Sequence, residues 1–187
     1  MKDSPAGGSG ECLRKCSLFF VAVGVDEGAL RVHGVAQDKQ GVDLVAAALH
    51  DIGLTGLMVP EAHGGLGMTL LDAAVAAEQL GRAVAPAPFL ARSVLAPLAL
   101  MLAGSEAQQD EWLPRIASGE VRFGVAIGGI VEERDGAKVR AGDGRLTGTA
   151  LFALDLAGAD HFIVADDSGR LHLLAATATG VERIALQ

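Results

Sequence analysis

An α+β chain, helical through its first two-thirds and stranded in its last third, is what three features of the sequence predict. Between residues 41 and 120 apolar residues recur at three- and four-residue intervals, the spacing that gathers them on one face of an α-helix. Thr69 with Asp72 and Ser105 with Gln108 have the spacing of capping boxes, in which each side chain satisfies an N–H left open by the first helical turn. From Val121 onward, segments rich in β-branched residues and divided by Gly- and Asp-containing turns replace the alanine-rich runs. The predicted order is an N-terminal all-α helical domain, residues 41–120, then a partial antiparallel β-barrel domain, residues 121–187. Residues 1–40 are set apart as a divergent or flexible N-terminal segment.

Within that segment, residues 1–10 have the Gly/Ser/Pro composition of a tail. "CSLFFVAVGV", residues 16–25, is much shorter than the roughly 20 residues of a membrane span and is read as buried, with a secretion signal as the alternative. Leu44, Val45, Ala48, Leu49 and Ile52 predict a helix over 42–52, closed by Gly53. A second helix starts after Thr69 and stops at Gly81, and Pro86 and Pro88 separate it from "FLARSVLAPLALMLAG", where Pro97 predicts a kink or a restart. Trp112, Leu113 and Ile116 are the inward anchors of the next helix. "RFGVAI", "AKVRA", "RLTGTALF", "HFIVA" and "RLHLLAA" are strands, with hairpin turns at Asp143-Gly144 and Asp167-Ser168-Gly169.

The net charge of -8, without any cationic run, argues against nucleic acid as a partner. Cys12 and Cys16 cannot form a disulfide scaffold, so a reducing cytoplasm is the expected compartment. Metal-ligand spacing is lacking: His63 beside Glu61 is not part of an H-E-x-x-H, and His33, His50, His161 and His172 stand alone. Glu132, Glu133 and Asp135 read as a solvated acidic loop. The glycine-rich "VPEAHGGLG", residues 59–67, could cradle a phosphate, hold a metal or join two helices. Met68-Thr69 is not the Lys-Ser/Thr ending of a P-loop and the G-x-G-x-x-G spacing is absent, so the joint is the better reading.

The stretch Leu49 to Glu120, carrying "GLMVPEAHGGLG" and "EQLGR", resembles the N-terminal helical domain of the acyl-CoA dehydrogenases. The resemblance continues through "LTGTALFALDLAGADHFIVA" and "GVERI" into that family's middle β-domain. It implies FAD as cofactor, an acyl-CoA thioester as substrate, α,β-desaturation as the reaction, and a homo- or hetero-oligomer with an acyl-CoA dehydrogenase subunit as the assembly. The family's base lies in a C-terminal helical bundle that residues 1–187 do not reach, so no residue is assigned as catalytic. The positions matching its flavin-facing segments are Phe123, Val125 and Ala126 in "FGVAIGGI" and Phe152 and Leu154 in "FALDL". Phe123 and Val125 fit the family pattern and Phe152 would pack on the flavin ring. Ala126 stands where a hydroxyl is usual, Ile127-Gly128 where Glu-Pro is usual, and Leu154 offers no hydrogen bond. Each lost donor removes about 1 to 3 kcal/mol of polar compensation around a buried heterocycle. A non-catalytic partner subunit and a truncated remnant are the alternatives that this pattern implies.

Overall fold

The computed structural model describes residues 30–35, 39–127 and 138–186. The tail, the "CSLFFVAVGV" segment with both cysteines, Gly128 and the acids Glu132, Glu133 and Asp135 lie outside the described residues.

The chain enters as strand β1 (Leu30–Val35) and then builds a helical layer: α1 (Lys39–Asp51), α2 (Leu70–Arg82), a π-helical turn (Leu90–Leu95), α3 (Ala96–Ala103) and α4 (Glu106–Ala117). Six strands follow: β2 (Phe123–Ala126), β3 (Val139–Gly142), β4 (Arg145–Ala153), β5 (His161–Ala165), β6 (Leu171–Ala175) and β7 (Val181–Leu186). The α+β expectation holds. Among the described residues no helix is long and apolar enough to cross a membrane.

Local chemistry sets the helix ends. Thr69 N–H donates to Asp72 Oδ2 at 2.9 Å while Asp72 N–H donates back to Thr69 Oγ1 at 3.5 Å, and α2 begins there. Ser105 N–H donates to Gln108 Oε1 at 2.8 Å in the same motif at the start of α4. α2 runs through Gly81 to Arg82, because Gly81 does not take the left-handed conformation by which a glycine closes a helix. Pro97 marks a restart: α3 begins at Ala96, whose N–H still reaches back to the Ala91 carbonyl, and the preceding turn is π-helical up to the residue without an N–H. In α1 the inward positions are Val42, Val45 and Leu49, while Leu44 and Ile52 face solvent. The expected stripe was thus rotated on the helix, since Val42 to Leu49 and Leu44 to Ile52 satisfy the same spacing.

The strands form two sheets, β3-β4-β1-β7 and β2-β5-β6. The expected hairpins exist, with β3 antiparallel to β4 and β5 antiparallel to β6. The rest corrects the antiparallel expectation: β1 is parallel to both β4 and β7, and β2 is parallel to β5. Parallel neighbours need long connections, and here the helical layer and the β3-β4 hairpin supply them. The three-stranded sheet lies between two apolar layers. Phe123, Val125, Ile163 and Leu173 pack on Leu100, Trp112, Leu113 and Ile116 of the helices. Ala126, Phe162, Val164 and Leu174 face Leu30, Val32, Leu146 and Ala150 of the four-stranded sheet.

Candidate functional site

The end of β4 is drawn onto β2 by a pair of backbone bonds, Leu154 N–H to the Val125 carbonyl at 2.9 Å and Val125 N–H to the Leu154 carbonyl at 3.1 Å. To reach them the backbone turns left-handed at Phe152 (φ 57°) and again at Asp155 (φ 53°). A bulky side chain at positive φ costs about 1 kcal/mol or more and persists only where the surroundings enforce it. The outcome is that Phe152 and Leu154 are turned outward, 50% and 37% exposed.

The other sequence-derived positions lie inside. Phe123 is buried, with its ring centroid 5.7 Å from that of Trp112 and 5.8 Å from that of His161. Val125 packs into the same helical layer, and Ala126 points the opposite way, into the layer between the sheets. The structure therefore separates the five residues into an exposed pair, Phe152 and Leu154, and three buried strand positions beside them. None of the five carries a polar side chain.

Asp155, next to Leu154, is the residue that sequence reasoning passed over. Its carboxylate accepts the Ala91 N–H at 2.9 Å and so ties β4 to the π-helical turn. Burial pushes its pKa up, against the opposing hydrogen bonds from the backbone N–H groups of Ala91 and Arg92. The one available signal was a single acid inside the apolar run "FALDL".

The glycine-rich loop spends its own donors. Gly64 N–H bonds the Glu61 carbonyl, Gly65 N–H that of Pro60, Leu66 N–H that of Gly56 and Gly67 N–H that of Val59, at 2.8 to 3.2 Å. With these amides turned inward, the loop is a joint between helices and not a phosphate cradle. His63 Nδ1 lies 3.8 Å from Asp110 Oδ1, across to α4. No group of three or more His, Cys, Asp or Glu side chains placed to hold a metal exists among the described residues.

Comparison with known proteins agrees with this geometry. Acyl-CoA dehydrogenase IpdE2 of Mycobacterium tuberculosis is 32% identical over 125 residues, covering 67% of this chain and 37% of that protein. The solved structure described as "Tcur3481-Tcur3483 steroid ACAD" superposes with a TM-score of 0.53 at 26% identity, over 71% of this chain and 35% of that one. An acyl-CoA dehydrogenase from Bacillus anthracis complexed with FAD superposes with a TM-score of 0.55 at 24% identity, over 74% of this chain and 26% of that one. The chain thus spans well under half the length of these relatives. The family profile described as "Acyl-CoA dehydrogenase, N-terminal domain" matches residues 24–120, a stretch that includes β1 within the segment set apart by sequence alone. Because that match takes in more than half of the 187 residues and the helices and sheets agree with it, the chain belongs to the acyl-CoA dehydrogenase family.

Proposed function

We infer that this chain supplies the helical and β-sheet part of an FAD-dependent acyl-CoA dehydrogenase, with the β2-β4 junction as the face that meets the flavin. The observation that carries this reading is the outward, left-handed Phe152 beside Leu154. An exposed aromatic and an exposed leucine fit the flat apolar face of an isoalloxazine ring. They do not fit its polar edge, for which Ala126 and Leu154 offer no side-chain donor. When bound, the flavin would supply the hydride acceptor for α,β-desaturation of an acyl-CoA thioester. The chain's own part is a platform: Phe152 and Leu154 cover one side of the ring and exclude water, and Asp155 fixes the platform against the helices.

A second reading, a subunit that shapes an assembly with another acyl-CoA dehydrogenase chain, is favoured by two observations. One is the lack of polar side chains at this face. The other is an exposed apolar strip of Leu66, Met68, Leu70, Leu71 and Val75 along the start of α2. Exposed apolar side chains so close together in the chain are the kind that interaction sites use.

Titration of FAD into the protein, followed by flavin fluorescence, tests the first reading. Expected is weak binding that Phe152→Ala abolishes and Leu154→Thr strengthens. Binding that neither variant changes would remove the β2-β4 junction from consideration. Stoichiometric yellow flavin in the protein as purified would remove the claim of a weakened polar edge, and with it one support of the subunit reading.

A further inference from the structure

α2 rests on the core by one side only. Ala73 is its buried residue, and Ala76 and Leu80 pack with it into the cluster of Leu49, Met58 and Phe89. Leu71, Ala74 and Val75 fall on the opposite side of the helix, where Leu71 is 74% and Val75 54% exposed.

α1 continues this surface. The Ile52 N–H bonds the Ala48 carbonyl at 3.3 Å, so Leu44, Ala48 and Ile52 stand one turn apart, on a face turned away from the buried Val42 and Leu49. A Cβ on Gly53 would lie 3.4 Å from Leu66 Cδ1, which sets the end of α1 beside the start of the apolar strip. Leu44, Ile52 and the strip from Leu66 to Val75 together expose on the order of 700 Å² of apolar side chain, above the roughly 300–600 Å² of the largest patch on a typical monomer and close to the ~800 Å² that each partner gives a stable interface.

Charge and symmetry decide what fits. Between Leu66 and Val75 the one ionic side chain is Asp72, and its carboxylate is held by the Thr69 N–H at 2.9 Å and Oγ1 at 2.6 Å. Glu78, the next acid on α2, has Arg82 at 3.5 Å. The strip thus carries no ionic group left without a partner, which two copies of a chain of net charge -8 need if they are to meet. A two-fold contact uses the same patch on both sides. Leu71 and Val75 are one turn apart, so antiparallel α2 helices can set each on the other, and the small Ala74 between them lets the helices approach.

Building on the subunit reading, we propose that this surface is a two-fold interface with a second copy of the chain, in which Leu71 of one copy packs on Val75 of the other. Asp51 and Glu61, exposed near its edge, then meet like charges across the contact. Added salt therefore tightens this dimer, whereas it would loosen a contact with a basic partner.

Sedimentation equilibrium of the full chain over a range of protein and salt concentrations is the test. A monomer–dimer equilibrium that NaCl strengthens is expected. Leu71→Lys and Val75→Glu, both at exposed positions, should each weaken it about tenfold or more, without lowering the Tm measured where the parent is monomeric. An equimolar mixture of the two variants should dimerise again, because opposite charges then face each other. A parent that stays monomeric overturns the proposal, as does a dimer that neither substitution weakens or a mixture that does not recover. Nile red separates the two readings in the monomeric case. Dye binding that Leu71→Lys abolishes leaves the subunit reading standing with another chain as partner, and no dye binding removes that support too.

Discussion

The carboxylate of Asp155 receives the backbone N–H of Ala91 at 2.9 Å, which fastens the end of β4 to the first residues of the π-helical turn. Burial lifts its folded pKa above the ordinary 3.8, with the hydrogen bonds from the Ala91 and Arg92 backbone opposing. The folded state therefore holds the proton more tightly than the unfolded chain does. Stability from this group falls as pH rises from 3.8 through the raised value. Asp155→Asn keeps an acceptor without the charge, and at pH 7 it should be as stable as the parent or more so. That advantage should vanish in acid. Asp155→Ala leaves the Ala91 N–H unanswered and should lose about 1 to 3 kcal/mol. Urea denaturation of both variants across the acid range checks the sign.

Phe152 is held at φ 57°, a conformation that asparagine accepts far more readily than a bulky or β-substituted residue. Asn and Ala both remove the ring, but only Asn relieves the strain. Phe152→Asn should accordingly be more stable than Phe152→Ala by about 1 kcal/mol, while both bind FAD more weakly than the parent. Equal stability of the two variants would mean that the backbone is not strained there.

Gly65 and Gly64 are adjacent and should respond very differently. A Cβ on Gly65 would fall 2.1 Å from the Val59 carbonyl oxygen, backbone that cannot move without opening the loop. A Cβ on Gly64 meets nothing within 4 Å, although φ is 81°. Gly64→Ala should cost about 1 kcal/mol and Gly65→Ala about 3 kcal/mol or more. The denaturation midpoints of the pair decide whether the loop is the tight joint described.

Asp166 is fully buried in the β5-β6 turn. Its Oδ1 accepts Ser168 Oγ at 2.6 Å and the N–H groups of Ser168 and Arg170 at 2.9 and 3.0 Å, and His172 Nε2 lies 2.9 Å from its Oδ2. Burial alone would raise its pKa, but these hydrogen bonds outweigh it and hold the group at about 2. A depressed folded pKa contributes stability that is complete above 3.8 and is lost as pH falls toward 2, here about 2 kcal/mol. Asp166→Ala should destabilise strongly at pH 7, and the gap to the parent should narrow through this acid window. A gap that stays constant with pH would contradict the assignment.

Much of this fold could be read along the chain, where the cause of an element lies within a few residues of it. The Thr69-Asp72 and Ser105-Gln108 boxes, the restart at Pro97 and the Asp143-Gly144 hairpin, with both residues at positive φ, are of this kind. β1 was not legible: "LRVHGV" buries Leu30, Val32 and Gly34 in strict alternation, but its partners β4 and β7 lie beyond the whole helical layer. For the same reason the parallel pairings were missed, since no turn announces them. At the site, "FALDL" pointed to Phe152 and Leu154 only through family resemblance. The depth of Phe123, Val125 and Ala126 depends on β2 being covered on both faces, which a four-residue strand cannot declare.

The position of β1 also dictates an order of events in folding. It is one of the two inner strands of its sheet, hydrogen-bonded on one side to β4 and on the other to β7, yet the ribosome makes it before any of the helices described. A nascent chain must therefore keep Leu30–Val35 without either neighbour until β4 has emerged, and without its second until β7, the last of the strands described, follows. Pairings so distant along the chain close slowly. The helices, whose contacts are closer along the chain, can be assembled while this sheet still lacks its strands, and its closure joins the two ends of the described chain.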